Sequence, residues 1–303
     1  MSGIPQGSVL GPLFFLIFIN DIVHNLPVKI KLYADDCIIY HEIHNSSDQA
    51  LLNSALARIA TWCSDWQMSI NTKKSVAMTV TRKRQPLNFS YSIGSSTLAV
   101  VNNYKYLGII ITLDLRWNEH ISDIVKRAMR KLGYLRRTLR QCTNEVKLIA
   151  YKTLVRPVLE YGSIVWDPHT RGNIDKLESV QKKAARFIYR SYSWRTSAST
   201  LVKKAGLDNL QKRRQYDRLK YMHLLFHDKL GMRKHDYIEP VHRRTTRSHH
   251  SKKLKDYSCH TQTFANSFFP KTVREWNRLP ASIVECPTTE AFMNAVRMRS
   301  DSN

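Results

Sequence analysis

The rhythm of apolar and polar positions changes several times along the chain, and each change predicts an element. Leu13-Phe14-Phe15-Leu16-Ile17-Phe18-Ile19 is an unbroken apolar run. It is shorter than the roughly 20 residues that span a bilayer, and reads as a buried helix ending at Asn20-Asp21. Pro12 suits its first turn, where a missing N–H is no loss. Ile30, Leu32 and Ala34 then alternate with Lys31 and Tyr33, and Cys37-Ile38-Ile39-Tyr40 follows. Two β-prone runs around a short polar centre predict a hairpin with Asp35 and Asp36 at its tip. Ser46 and Gln49 stand at capping-box spacing, with Asp48 in the first turn. Leu52, Ala55, Leu56, Ile59, Cys63 and Trp66 recur on one helical face that should pack on a sheet. Residues 76–81 alternate as a strand, and 89–93 and 98–101 flank a turn at Gly94-Ser95-Ser96. In 104–111, Gly108 marks a bulge or a close backbone approach within a strand; a buried edge hairpin is the simpler account.

From Asn118, a possible cap, the period becomes helical. Ile121, Ile124, Val125, Ala128, Leu132 and Leu135 form one stripe, and Lys126, Arg127, Arg130, Lys131, Arg136, Arg137 and Arg140 cover the remainder. A second helix from Glu145 presents Val146, Ile149, Ala150, Thr153 and Leu154 and runs to Arg156-Pro157. A third follows Asn173, with Leu177, Val180, Ala184, Phe187 and Ile188 inward and Lys176, Lys182, Lys183 and Arg186 elsewhere. Residues 210–227 suit one basic helix, and 243–253 a polar, basic loop.

Charge sharpens the division. The 303 residues hold 48 Lys+Arg against 24 Asp+Glu, a net of +24. Residues 1–120 account for only 10 of the basic and 8 of the acidic side chains, so residues 121–303 carry a net of +22. Such a lopsided chain attracts a polyanion, with steep salt dependence. A basic chain also attracts anionic membranes, but no amphipathic basic run stands apart from the globular pattern, so nucleic acid is the expected partner. Five scattered cysteines, an odd number, fit a reducing compartment. No basic segment precedes the first apolar run as it would in a secretory signal; an intracellular protein, nuclear or cytoplasmic, is expected.

Two chemical features stand out. Asp35 and Asp36 are adjacent carboxylates that repel unless a cation intervenes, and Mg²⁺ favours one or two carboxylates plus substrate phosphates; ordinary turn chemistry is the alternative. Met1-Ser2-Gly3-Ile4-Pro5-Gln6-Gly7-Ser8-Val9-Leu10-Gly11-Pro12 is too rich in Gly and Pro for a helix or central strand, and makes a shaped loop open to close approach. His223 and His227, four apart on a helix, and Cys259-His260 have the chemistry of metal ligands. No glutamate follows His223 in the zinc-protease manner and no second cysteine pair completes a set, so zinc is not expected.

The order Gly-x-Pro-Gln-Gly-Ser-x-x-Gly-Pro, apolar helix, hairpin tipped by Tyr33-Ala34-Asp35-Asp36 resembles the palm of reverse transcriptases, and its detailed wording resembles non-LTR (LINE-type, jockey-like) retrotransposon polymerases. Trp62 and Trp66 followed by Asn71-Thr72-Lys73-Lys74, residues 104–111, and Tyr161-Gly162-Ser163-Ile164-Val165-Trp166 are similar to later parts of the same family, as are 264–270 and 275–280. The resemblance implies an α+β fold: a partial palm (antiparallel sheet with packed helices) over 1–117, a helical thumb-like region over 118–206, and a basic C-terminal region over 207–303. It implies RNA-directed DNA synthesis with two Mg²⁺ ions, on an RNA template and DNA primer with dNTP as substrate, and no membrane. Asp35 would be the principal metal ligand and Asp36 a neighbouring one. Tyr33 and Ala34 would lie under the primer end, and Gln6, Gly7 and Ser8 beside the template base and incoming nucleotide. Lys74 would stand near the nucleotide's phosphates, unless it is a solvated turn lysine. Residues 104–111 would hold the primer end.

Intact members carry a further metal-binding aspartate and a fingers domain before the Gly-x-Pro-Gln-Gly motif, and this sequence begins two residues ahead of it. The chain alone is therefore expected to be inactive, with a non-catalytic nucleic-acid-binding remnant as the alternative. A palm without its early strands would expose edges and apolar surface, so poor solubility is expected.

Overall fold

A computed structural model describes residues 7–24, 26–241 and 250–301. The chain forms two compact units, one reaching to Tyr104 and including Thr112–Asp114, the other made of Lys105–Ile111 and the residues from Leu115 onward.

In the first unit, α1 (Gly11–Ile19) carries Pro12 in its first turn and passes into a 3-10 turn at Asn20–Val23. Strands β1 (Lys29–Tyr33) and β2 (Asp36–Tyr40) pair antiparallel with Tyr33 opposite Asp36, the hairpin that the two apolar runs predict. Helix α2 (Ser46–Asp65) follows. Its cap lies one residue before the expected one: the Asn45 side chain accepts from the Ser47 and Asp48 N–H groups, and Asp48 accepts from the Asn45 N–H. Gln49 instead donates to the Ser90 carbonyl. Ile19, Ile22, Ile59 and Cys63 form the core, with Ile30, Leu32 and Ile39 from the hairpin packed against them. Trp66, expected inward, caps the end of α2 half-exposed and meets the Phe18 ring edge-on at 5.3 Å.

Helix α1 is not buried as expected. Leu13, Phe14, Leu16 and Ile17 are all about half exposed, and only Ile19 is fully covered. A helix apolar on every side needs neighbours all round; the core of this unit meets it through Phe15 and Ile19.

The remaining strands are short. β3 (Val76–Ala77) is all that forms of the alternating run 76–81, although the Thr81 N–H still donates to the Leu113 carbonyl. β4 (Ser92–Ile93) and β5 (Ser96–Thr97) make a hairpin around Gly94. The chain then leaves it, because β6 (Ala99–Val100) pairs with β3 in parallel. β7 (Asn103–Tyr106) and β8 (Ile109–Thr112) pair as well. Among the described residues the strands therefore make four separate pairs in place of one antiparallel sheet. Gly108 is neither in a strand nor at a bulge. Leu107 and Gly108 both have positive φ (44° and 81°), which is what a tight two-residue hairpin turn requires.

The second unit is helical. α3 (Asn118–Thr138) buries the expected stripe of Ile121, Ile124, Ala128, Leu132 and Leu135. Trp117 occupies its cap position, and Asn118 lies in the first turn, its side chain accepting from Asn173 at 2.6 Å. The next helix is continuous in three parts: α4 (Asn144–Ala150), a π turn at Tyr151–Val155, and α5 (Arg156–Glu160). Its buried face is Lys147, Tyr151, Val155 and Leu159. The expected inward residues Val146, Ile149 and Leu154 are exposed; already in α4, ahead of the π turn, the inward face is the one led by Lys147. The wide π turn lets the helix pass through Pro157, which lacks the N–H of an ordinary interior position.

α6 (Ser163–Trp166) follows Gly162, whose φ is +63°. α7 (Arg171–Ile188), α8 (Ala198–Lys204) and α9 (Leu210–Phe226) complete the first core of this unit. A second core joins α9 to α11 (Phe268–Asn277), α12 (Ala281–Val284) and α13 (Thr289–Asp301), with α10 (Gln262–Ala265) ahead of them. α9 is more than a solvated basic helix. Arg214 and Arg218 are buried, bonded to the equally buried Asp167, and Arg218 also reaches Glu275 at 2.7 Å. Lys271 of α11 adds a third cation to Asp167 at 2.6 Å. Residues 242–249 of the expected basic loop lie outside the described residues. Among the described residues no helix is long and apolar enough to cross a membrane.

Candidate active site

The hairpin tip is built by its register. With Tyr33 opposite Asp36, only Ala34 and Asp35 are left to turn the chain. Tight hairpin turns favour positive φ, normally supplied by Gly or Asn; here Ala34 adopts φ +50°. An L-residue with a Cβ is held in that region at a cost of about 1–2 kcal/mol. Alternation places Ile30, Leu32 and Ile39 toward the core, and Lys31, Tyr33 and Asp36 on the opposite face. Asp35 and Asp36 are both exposed, and among the described residues neither takes part in an ion pair.

Gly7 and Ser8 stand just before α1. Gly7 has φ +96°, a conformation open to glycine and strained for other residues. The Ser8 hydroxyl accepts from the Gly11 N–H at 3.0 Å, so it ties the loop to the start of α1. Gln6 lies outside the described residues.

Lys74 lies in the turn after α2, exposed. Its N–H donates to both the carbonyl (3.0 Å) and the side-chain oxygen (3.2 Å) of Asn71, whose carbonyl also accepts from the Ser75 hydroxyl. Asn71 thus shapes the turn that presents Lys74. One core anchors all three segments: Phe15 and Ile19 of α1, Ile30, Leu32 and Ile39 of the hairpin, and Met68 and Ile70 ahead of the Lys74 turn belong to the same cluster. Among the described residues no group of three or more His, Cys, Asp or Glu side chains is placed to hold a metal ion. Asp35 and Asp36 present two adjacent, exposed carboxylates.

In the second unit, Lys126, Arg130, Lys131 and Arg137 of α3 and Lys176, Lys182 and Lys183 of α7 are exposed. Arg186 is not on that surface. Its guanidinium donates to the carbonyls of Ser191, Ser193 and Thr196 and closes the loop after α7. Gly108 and Gly162 both sit beside Tyr161, which donates from its hydroxyl to the Leu107 carbonyl at 3.0 Å. A Cβ on Gly108 would stand 3.3 Å from the Tyr161 ring, so the close approach expected there is real and its cause is an aromatic side chain. His223 is buried, its Nδ1 3.3 Å from the Thr289 hydroxyl and its ring 4.5 Å from Phe292. Burial, with the adjacent His227, pushes its pKa down to about 4. The Cys259 thiol donates to the Tyr257 carbonyl.

Residues 1–111, which include the loop, the hairpin tip and the Lys74 turn, match the family model of reverse transcriptase (RNA-dependent DNA polymerase). The chain is 28% identical over 240 residues to a probable RNA-directed DNA polymerase from transposon X-element of Drosophila melanogaster, covering 76% of this chain and 25% of that protein. It is 29% identical over 201 residues to the RNA-directed DNA polymerase from mobile element jockey of Drosophila funebris, covering 62% of this chain and 22% of the relative. A Pol polyprotein from type-1 retrotransposable element R1 of Nasonia vitripennis is 27% identical over 176 residues, 54% of this chain and 52% of that protein. The chain spans about a quarter of the length of the first of these curated relatives. Residues 1–111 are thus similar to the reverse transcriptase family, and the chain is similar to RNA-directed DNA polymerases of retrotransposons.

Proposed function

We propose that the chain supplies the carboxylate tip and the duplex-holding helices of an RNA-directed DNA polymerase. The observation that carries this reading is the hairpin tip inside the matched segment, where Asp35 and Asp36 stand adjacent and exposed, without an ion pair among the described residues. Two unneutralised carboxylates side by side fit a hard divalent cation, and Mg²⁺ in particular. Asp35 would hold such an ion as the principal ligand, with Asp36 as its neighbour, and the ions would supply activation of the primer 3′-oxygen and neutralisation of the leaving pyrophosphate. Tyr33 and Ala34 support the primer end, and Gln6, Gly7 and Ser8 shape the loop beside the template base and incoming dNTP. Lys74, held out by the Asn71 turn, neutralises nucleotide phosphate. The exposed basic residues of α3 and α7 grip the RNA–DNA backbone without reading sequence. The palm, thumb-like and C-terminal divisions at 117 and 206 belong to the same reading.

A second reading is supported by the charge distribution alone. With a net of +22 over residues 121–303, the helical region can hold nucleic acid without any synthesis. Primer extension by the full chain on an RNA template with Mg²⁺ separates the two. Extension that Asp35→Asn abolishes is the expected result for the polymerase, and extension that survives the substitution overturns the metal assignment. Duplex binding that weakens steeply with salt, without extension, favours the second reading.

A further inference from the structure

Between the end of α3, the start of α4 and the segment after α7, the second unit has an open cleft of about 530 Å³. That is the size of a small-molecule site. Its walls include Arg136, Arg140, Lys147 and Arg190, with the rings of Phe187 and Tyr192; among the described residues no Asp or Glu lines it. Lys147 is only 1% exposed, and among the described residues no carboxylate pairs with it. The stem is covered while the ammonium opens on the cleft, where a cation is normally matched by an anion. The one described neighbour of complementary character to Lys147 is the Phe187 ring, 5.5 Å from Nζ. Burial, then the charge of Arg190, pull the Lys147 pKa down, the cost of an unmatched cation beside another.

Two of the arginines are partly engaged in ways that hold them at the cleft. Arg190 donates to the Arg140 carbonyl, and its own backbone sits at φ +52°. The Arg136 guanidinium lies 5.5 Å from the centre of the Tyr192 ring, a ring that is itself half exposed. Surface arginines on one helix are ordinary. Four cations from three segments around one cleft, with no carboxylate among its described walls and with a largely covered lysine among them, are not.

We propose that this cleft binds the phosphate group of a nucleotide, with Arg136, Arg140, Arg190 and Lys147 around the phosphate oxygens and Tyr192 against the nucleotide's planar ring. Arginine forks suit phosphate oxygens in pairs, and an aromatic face accepts any base. The phosphate can belong to a strand end or to a free nucleotide, and the chemistry is the same. The proposal deepens the nucleic-acid reading above by giving it a discrete site, but it needs neither Asp35 nor polymerisation.

The test uses the full chain and two variants of exposed cleft residues, Arg136→Gln and Arg140→Gln, singly and together. Arg130→Gln, on the same helix but outside the cleft, is the charge-matched control. Equilibrium binding is measured for inorganic pyrophosphate, for dATP, and for an RNA–DNA duplex with a 5′-phosphate or a 5′-hydroxyl end. The expected result is that the double variant weakens pyrophosphate binding about tenfold or more, while Arg130→Gln stays within about twofold. A duplex preference for the 5′-phosphate end, lost in the double variant, identifies a strand end as the source. Equal loss for dATP without that preference identifies a free nucleotide. Absence of pyrophosphate binding at millimolar concentration, or equal loss in the Arg130→Gln control, overturns the proposal. Each variant is checked by its thermal melt, and the single Arg140→Gln variant decides if the double variant is unstable. Primer extension and its loss in Asp35→Asn are read on chains that keep all four cleft cations, so the cleft and the polymerase reading fail separately.

Discussion

Arg214 and Asp167 meet at 2.7 Å with both side chains essentially removed from solvent. They lie 47 residues apart in the chain. Asp167 also receives Arg218 and Lys271, so one carboxylate holds three cations from α9 and α11. Removing a partner from such a buried pair strands uncompensated charge and costs about 3–5 kcal/mol. Asp167→Asn is expected to destabilise the second unit by at least that much in a urea titration. Asp167→Asn combined with Arg214→Met should recover part of the loss, because it removes one of the stranded cations. A double variant less stable than the single would count against the ion network as the source.

Acid should loosen this unit before it touches Asp167. His120 is buried and its Nδ1 accepts from the Ile110 N–H at 3.2 Å, a bond that needs the neutral ring. Burial, assisted by Arg127, pushes its pKa down to about 4, and His223 falls to about 4 as well. A histidine with a folded pKa below its unfolded value gives stability that is complete above the unfolded pKa of 6.5. That stability is lost as the unfolded chain takes up protons on the way down to about 4, at ~1.4 kcal/mol for each unit of pH and each histidine once titration is under way. Burial raises the Asp167 pKa, but Arg218, Lys271 and Arg214 outweigh it and hold the carboxyl below its ordinary 3.8. Its contribution therefore persists through this window and disappears only at lower pH. Unfolding followed from pH 7 to 4 should show the loss, and His120→Gln should flatten the slope over that range. A flat profile in the wild-type chain would contradict the neutral His120 acceptor.

Gly162 separates two effects of a methyl group. Its φ of +63° disfavours any Cβ, and an added Cβ would stand 2.7 Å from Ile109 Cδ1. The second clash is with the free end of a flexible chain and can relax. The backbone term cannot, so Gly162→Ala should cost about 1–2 kcal/mol, and pairing it with Ile109→Val should not restore stability. Rescue by the valine would show that the side-chain clash dominates.

The tip of the β1–β2 hairpin runs the other way. Ala34 already bears a left-handed φ, so Ala34→Gly removes strain while adding freedom to the unfolded chain, about 0.5–1 kcal/mol of opposing cost. The net change should lie between zero and about 1 kcal/mol of stabilisation, read from slower hydrogen exchange of the β1–β2 amides. Faster exchange would show that Ala34 is not strained.

Helix α1 leaves Leu13, Phe14, Leu16 and Ile17 about half exposed. A contiguous apolar surface drives self-association. Light scattering of the purified chain should show concentration-dependent assembly, reduced by Leu13→Lys with Ile17→Glu. Equal assembly in that variant would place the sticky surface elsewhere.

What could be read from the sequence follows the range of the physics. The α3 stripe was legible because Ile121, Ile124, Ala128, Leu132 and Leu135 obey one local period, and the hairpin tip because two apolar runs flank a two-residue turn. The cap of α2 was displaced by one residue because Asn45/Asp48 and Ser46/Gln49 share the same spacing and only the hydrogen bonds decide between them. The burial of Arg214 and Arg218 was illegible. Their partner lies 47 and 51 residues earlier, and nothing local distinguishes them from the solvated arginines of α3. Lys147 was hidden for a similar reason, since a lysine among Val146 and Ile149 reads as the outward member of the trio. In the candidate site, Asp35 and Asp36 were visible as a pair, while the part played by Asn71 in presenting Lys74 needed coordinates.

The π turn at Tyr151–Val155 carries an arithmetic of its own. In a regular α-helix four residues overshoot a full turn by about 40°, so positions 147, 151, 155 and 159 would wind steadily off any single face. Lys147, Tyr151, Val155 and Leu159 are nevertheless all buried, because the wider loop absorbs part of the overshoot midway. The turn therefore acts as a surplus residue that brings the two halves of the helix into phase. Shortening the chain by one residue between Tyr151 and Val155 would give a more regular helix and a worse protein, with either the lysine or the leucine end rotated out of contact.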